Sequence, residues 1–380
     1  MSYLTQLTLQ SFRCYEQARL ASLDSGLIVL CGPNGAGKTN ILEAISLLTP
    51  GRGLRAVKAT DMQRYDSPQA WGLSAKVMTE GGEVTLGTAL TPETARRKVR
   101  INGVDAKSQM ALSDYMACLW LTPQMDRLFI EAAAGRRRFL DRMIFAFDPG
   151  HSGRVTRYEN ALRQRSRVLQ EEFADPSWLT GLESQMAETG IAIAAARLDF
   201  ISRLQVSCAK ADSEEENYFP KSRLIAKGTL EELLQNTPAV EVERLYAYQL
   251  EQSRTRDSLT GGAATGPHKS DLEVVYNTKN MTAAQCSTGE QKALLIGLIL
   301  AHGRLMMAER GAPPVLLLDE VAAHLDEDRR IALFERLEKL GGQVWMTGTD
   351  PVLFDNIARK ARFFDVRNAQ IYPHKTAAAA

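Results

Sequence analysis

Ser287-Thr288-Gly289-Glu290-Gln291 stands a short way ahead of Val315-Leu316-Leu317-Leu318-Asp319-Glu320, and this pair of segments decides how the rest of the chain is read. The second is an apolar strand ending in two carboxylates, a place where a metal-bound nucleotide can be met. The first sets a hydroxyl and a glycine amide at the start of the apolar stretch Ala293 to Ala301, which predicts a helix. A helix start points free backbone N–H groups and the positive end of its dipole toward a phosphate. Far upstream lies a third piece, Gly32-Pro33-Asn34-Gly35-Ala36-Gly37-Lys38-Thr39. Its three glycines let the backbone wrap closely round phosphates and turn its amides inward. Lys38 is expected to neutralise the β- and γ-phosphates of ATP, and the Thr39 hydroxyl to ligate Mg²⁺.

A phosphate loop alone means only that some nucleotide binds. With the other two segments it resembles an ABC-type P-loop ATPase, in which the nucleotide is closed in between two copies of one head. The expected fold is α/β: a mixed sheet with flanking helices, an antiparallel sheet, and an inserted helical domain. Asp319 is expected to hold Mg²⁺, directly or through water, and Glu320 to orient the attacking water as general base. Ser287 and Gly289 are expected at the nucleotide of the partner copy. Gln124, in Leu121-Thr122-Pro123-Gln124, matches the glutamine that senses metal and water, and Ala323-His324-Leu325-Asp326 resembles the loop that crosses the dimer interface. Such ATPases often carry a histidine after the last core strand. Here that strand ends in Thr347-Gly348-Thr349-Asp350, so either a threonine serves or hydrolysis is slow.

The composition sets limits. A chain of 380 residues has room for two or three domains and a sizeable core. Hydrophobic residues make up 44% and charged residues 24%, as in ordinary soluble globular proteins. The net charge of +1 gives no global field for nucleic acid, so any such surface must be a local patch. Cys14, Cys31, Cys118, Cys208 and Cys286 are scattered without a C-x-x-C pair, which argues against disulfides and zinc and for a reducing cytosol. The apolar run Ala293 to Ala301 is far short of the ~20 residues of a membrane span, and no charged-then-apolar leader opens the chain. The expected location is the cytoplasm, at the nucleoid.

Along the chain, Leu4, Leu7 and Leu9 alternate with polar residues, and Leu27 to Leu30 forms a strand feeding the phosphate loop. Leu42, Ile45 and Leu48 share one face of a helix. Residues 71–104 read as strands joined by turns at Gly81-Gly82 and Asn102-Gly103. From about Arg136 to Arg256 the period becomes helical, broken at Asp175-Pro176 and Phe219-Pro220. The acidic stretch 212–217 is expected to be solvated, and 376–380 a loose tail. The expected domains are therefore 1–135 and 257–380, two parts of one head, enclosing a helical arm at 136–256.

Between Arg136 and Arg167, nine arginines face Asp141, Asp148 and Glu159, a local excess of six positive charges. Guanidinium groups suit phosphates, although a charge run is usually a solvated helix face. Arg136, Arg137, Arg163, Arg165 and Arg167 are the candidate DNA contacts, with Arg96, Arg97, Lys98 and Arg100 as a second group.

These features resemble the RecF family of bacterial recombination mediators along nearly the whole chain. The residues that carry the resemblance are Phe12-Arg13, Asn34 to Ile45, Gly51-Arg52-Gly53-Leu54-Arg55, Arg136-Arg137 with Phe139-Leu140-Asp141, and Leu162-Arg163-Gln164-Arg165. Gly266-Pro267-His268-Lys269-Ser270-Asp271-Leu272 matches a hallmark that transporters lack. The resemblance implies an ATP-dependent dimer that binds duplex and gapped DNA. It also implies weak, DNA-stimulated ATP hydrolysis used as a switch, and partnership with RecR and RecO in loading RecA onto single strands coated by SSB. Ala133, Ser166, Thr288 and Glu290 depart from the family pattern. Two other readings compete. A transporter nucleotide domain would carry a short insert and bind no DNA, and a nuclease-linked ABC ATPase would need a separate acidic metal cluster, of which only Asp355 and Asp365 appear after Asp350.

Overall fold

The computed structural model describes residues 2–171, 175–212 and 218–374, without the side chains of residues 211, 212 and 324. The expected solvated acidic stretch, except for the helical backbone of Asp212, and the expected tail lie outside the described residues. The strands are β1 (Tyr3–Phe12), β2 (Tyr15–Leu20), β3 (Leu27–Cys31), β4 (Gly72–Thr79), β5 (Gly82–Thr91), β6 (Arg96–Ile101), β7 (Val104–Asp105) and β8 (Cys118–Leu121). Then follow β9 (Ser222–Lys227), β10 (Asp271–Tyr276), β11 (Met281–Thr282), β12 (Val315–Leu318), β13 (Val344–Gly348), β14 (Ala361–Arg367) and β15 (Gln370–Pro373). The helices are α1 (Lys38–Ser46), α2 (Ala133–Phe145), α3 (His151–Val168), α4 (Pro176–Asp212) and α5 (Thr229–Leu234). They continue with α6 (Ala239–Gln252), α7 (Arg254–Thr260), α8 (Thr288–Arg310) and α9 (Glu327–Leu340).

Two compact units result, one from Met1–Asp126 with Leu295–Ala380, the other from Arg127–Leu294. The first contains a six-stranded sheet in the order β15-β14-β3-β13-β12-β8, parallel except for β15. Its central strands β3, β13 and β12 are buried at every residue, which is why they read as unbroken apolar runs and not as alternation. The second sheet of this unit, β2-β1-β4-β5-β6-β7, is antiparallel and does alternate. One turn falls at Asn102-Gly103, where the sequence puts it, and the other at Glu80-Gly81, one residue ahead of the expected Gly81-Gly82. Phe12, Leu42, Ile45, Trp71 and Trp345 share one buried cluster with some thirty other apolar side chains. Each such side chain contributes about 1.5–3 kcal/mol by leaving water.

Two polar side chains fix this unit internally. Buried Gln343 donates through Nε2 to the carbonyls of Leu4 and Asp24, and its Oε1 accepts from the Leu4 amide and Trp345 Nε1. Arg97 leaves β6 toward the C-terminal end of α1. It donates to the carbonyls of Leu47, Thr49 (3.2 Å) and Gly51 (2.6 Å), and to Thr88 Oγ1. A cation there complements the helix dipole, and burial pushes its pKa down to about 10. Arg97 is thus taken up by α1, and Lys98 and Arg100 both pair with Asp105.

The second unit packs α3, α4 and α6 around Tyr158, Leu182, Met186, Val242 and Tyr246. It also contains the antiparallel sheet β11-β10-β9. Strand β9 falls inside the stretch read as helical. Burial of Ser222, Leu224 and Ala226 in alternation with Arg223, Ile225 and Lys227 is the period-two pattern that marks it.

Candidate functional site

Four loops leave the carboxyl ends of neighbouring parallel strands, the edge where open α/β sheets bind ligands. They are the phosphate loop after β3, Asp319-Glu320 after β12, the end of β13 at Thr347-Gly348, and Gln124 after β8. The phosphate loop is tied at its root by Gly32 N–H donating to Gly348 O at 3.2 Å. A Cβ on Gly32 would meet Val366 O at 2.1 Å, so only glycine fits there. At the other end Gly37 has φ 110°, and a Cβ on it would meet the Tyr15 hydroxyl at 2.6 Å. That hydroxyl, buried beneath the loop, donates to Gly37 O, and burial pushes its pKa far above the phenol range. Tyr15 is a support that sequence reading passed over.

Pro33, Asn34 and Gly35 form an exposed tip, while Lys38 is buried. The Lys38 ammonium bends back onto the loop, donating to Gly32 O at 2.6 Å and Pro33 O at 3.0 Å. Burial lowers its pKa, against the opposing pull of Glu320 and Asp319. Thr39 Oγ1 donates to Asp319 at 2.9 Å to Oδ1 and 3.0 Å to Oδ2, joining two motifs 280 positions apart. Thr347 donates to the same Oδ1 at 2.8 Å, and accepts the Glu320 amide at 2.9 Å. Asp319 is pushed above the usual carboxylate range, by burial first and by Glu320 as well, against the bonds from Thr347 and Thr39 and the charge of Arg55. Glu320 itself has φ 53°, a left-handed conformation that a non-glycine residue adopts only under constraint.

A carboxylate and a hydroxyl make a hard oxygen pair of the kind Mg²⁺ uses when phosphates and water complete its shell. Among the described residues, no cluster of three or more His, Cys, Asp or Glu could hold a metal by itself. Gln124 lies exposed in the turn Pro123–Arg127. The sequence also gave no role to Glu43, which is fully buried in α1 and gripped by Arg13 at 2.6 and 2.8 Å, with Arg55 at 3.2 Å. The exposed signature residues Ser287 and Gly289 are at the start of α8, in the stretch assigned to the second unit. Ser287 makes its bonds to its own Glu290.

The arginine stretch divides sharply. Arg163 and Arg167 are exposed on α3. Arg165, expected as a DNA contact, is instead wholly buried: Nε meets Glu183 and Nη1 meets Asp257, each at 2.9 Å, and Nη2 donates to Leu250 O. Interior carboxylates consume its charge, so it is withdrawn as a DNA contact. Arg136 forms a two-pronged pair with Asp271 at 2.7 and 2.8 Å and caps three carbonyls. Arg137 donates to Ser270 O. Both therefore hold the segment Gly266 to Leu272, as do Arg197 through Pro267 O and Tyr158, whose hydroxyl meets His268 Nδ1 at 2.7 Å.

The chain matches the RecF/RecN/SMC N terminal domain model over residues 3–371. It is 46% identical over 371 residues to the DNA replication and repair protein RecF of Rhizobium rhizogenes, covering 97% of this chain and 98% of that one. It is 44% identical over 378 residues to the RecF of Mesorhizobium japonicum, covering 99% of each. Among solved structures, the recombination mediator protein RecF with ATP, from the RecFOR pathway, superposes with a TM-score of 0.85 at 23% identity over 98% of both chains. A Pyrococcus furiosus Smc head domain gives 0.55 at 16% identity, over 98% of this chain and 96% of that one. The structural likenesses bear on the fold, which is that of an ABC-type ATPase head.

Proposed function

The chain belongs to the RecF family of DNA replication and repair proteins, and from that premise we propose that it is an ATP-gated clamp on gapped duplex DNA. The observation that carries the reading is the bond of Thr39 to Asp319, which brings phosphate loop and strand-end carboxylate to one sheet edge. Whole-length identity to RecF proteins favours neither the transporter domain nor the nuclease-linked ATPase.

In this reading the amides of residues 32–37 and the Lys38 ammonium bind the β- and γ-phosphates, with Lys38 exchanging its carbonyl partners for phosphate oxygens. Thr39 and Asp319 hold Mg²⁺, with Gln124 completing the site; the ion supplies charge neutralisation on the phosphates. Glu320, fixed by its strained backbone and its bond to Thr347, takes the proton of the attacking water. No histidine follows β13 in Thr349-Asp350-Pro351, and Thr347, within the strand, positions Asp319 and not the γ-phosphate. This fits weak hydrolysis used as a switch. Ser287 and Gly289 complete the site of a second copy, so that ATP joins two chains. Arg163 and Arg167 then contact DNA phosphates, and the clamp works with RecR and RecO to load RecA.

Retention of gapped duplex DNA with and without ATP, beside light scattering, tests this reading. ATP should produce the dimer and tighten DNA binding together. A dimer indifferent to ATP, or DNA binding without nucleotide dependence, would overturn it.

A further inference from the structure

The start of α8 holds an arrangement that the assigned function does not use. Ser287 Oγ–H and Ser287 N–H both donate to Glu290 Oε2, at 2.8 and 2.9 Å, and the Glu290 amide faces back to Ser287 Oγ at 3.4 Å. This is a reciprocal capping box, but the serine in it is the signature serine. Its two donors are the ones that a γ-phosphate of a partner chain would take. Glu290 is further gripped by Lys279, which stands in the turn Asn277–Lys279 with its ammonium 5.6 Å from the centre of the Tyr276 ring.

We infer that Glu290 is an internal phosphate surrogate that sets the ATP threshold for dimerisation. Its carboxylate fills both Ser287 donors in the free chain and must give them up when a partner's nucleotide arrives. The inference rests on the clamp reading above and adds a regulator to the same site. Three features support it. A carboxylate and a phosphate oxygen are both anionic acceptors, so they compete for one hydroxyl and one amide. A negative side chain in the first turn also offsets the positive end of the helix dipole, the field that would draw a phosphate in. Finally, Lys279 is more than half exposed while the Glu290 side chain is mostly covered. The lysine thus has solvent around it, with room to stay with the carboxylate when that leaves the serine. Lys279, then the amide and hydroxyl of Ser287, hold the Glu290 carboxyl down at about 2, so the competitor stays ionised throughout the physiological range.

A structural cap and a competitor differ in sign. If Glu290 and Lys279 only stabilise the helix start, then Glu290→Gln and Lys279→Ala both weaken it, and both raise the ATP concentration for half-maximal dimerisation. If Glu290 competes, Glu290→Gln lowers that concentration about tenfold, because the anion is gone. Lys279→Ala then raises it several-fold, because the carboxylate is left unneutralised beside the incoming phosphate. Light scattering of the full chain against ATP reads all three proteins, and Ser287→Arg combined with Glu290→Gln should fail to dimerise. An ATP-driven wild-type dimer whose midpoint is unchanged or raised by Glu290→Gln overturns the competition and leaves the clamp reading standing. No dimer in either protein at any ATP concentration overturns both. A dimer in Glu290→Gln alone supports the competition and overturns the clamp reading for the unaltered chain.

Discussion

The nucleotide edge of the first unit and the arginine stretch of the second were both read from residue types, and they reward that reading very differently. At the nucleotide edge, the chemistry is held by backbone. Parallel neighbours in one sheet deliver their following loops to one rim, so Lys38, Thr39, Asp319 and Thr347 meet whatever their distance in sequence. In the arginine stretch the chemistry depends on helix phase, and a run of like residues says nothing about phase. Tyr158, Ala161, Arg165 and Val168 are the buried face of α3, spaced at three, four and three residues. Arg163 and Arg167 are four apart on the opposite side. The three-four-three spacing marks the buried face, and the charge of a residue does not.

The largest expected effect separates the arginines. Arg165→Ala should destabilise the protein by about 3–5 kcal/mol in denaturant unfolding, since it removes the buried cation that Glu183 and Asp257 share and leaves Glu183 with Arg254 and Asp257 with Arg256 at 3.9 Å. Arg163→Ala with Arg167→Ala should change stability by no more than about 0.5 kcal/mol. Comparable melts would erase the division drawn here.

Next in size is the loop cation. Lys38→Met should weaken ATP binding about 100-fold, near 2.7 kcal/mol, as read by titration of a fluorescent ATP analogue, with the fold intact by circular dichroism. Unaltered affinity would remove the phosphate-loop assignment.

The paired exposed arginines come third. Their joint replacement by alanine should lower duplex affinity about tenfold for all sequences alike and flatten the salt slope by about two. ATP-driven dimerisation should survive. Should DNA binding hold steady, α3 is an ordinary solvated face and exposed Arg96 leads the search.

The smallest effect concerns Asp319. Its raised pKa means that the fold binds the proton more tightly than the unfolded chain does. The associated stability is present below the ordinary carboxylate range and lost as pH rises through the folded value. Asp319→Asn should therefore melt slightly above the wild type at pH 7, by under about 1 kcal/mol, and the gap should close as pH falls to about 4. A gap that widens in acid would mean that folding lowers the Asp319 pKa instead of raising it.

Much of the site was legible because glycine, lysine, threonine and paired acids recur at spacings set by the backbone. Illegible in advance were the supports, Tyr15 beneath Gly37 and Arg13 with Glu43, because each depends on a packing partner from another element. Strand β9 was hidden by its helical neighbours. The hallmark Gly266 to Leu272 was visible as a pattern, yet its work of receiving Arg136, Arg137, Arg197 and Tyr158 belongs to tertiary structure alone.

Strand β3, which feeds the phosphate loop, lies between β13 and β14, and this order has a consequence for biogenesis. Both of its neighbours are translated after the contiguous stretch Arg127–Leu294. While the ribosome is making the chain, Leu27–Cys31 has two open edges and five apolar side chains, a template for wrong pairing. Segment 127–294 can condense first, but the nucleotide site cannot close until Val344–Arg367 has emerged. A stall between those points would leave a folded arm tethered to a sticky strand, a natural client for a holding chaperone.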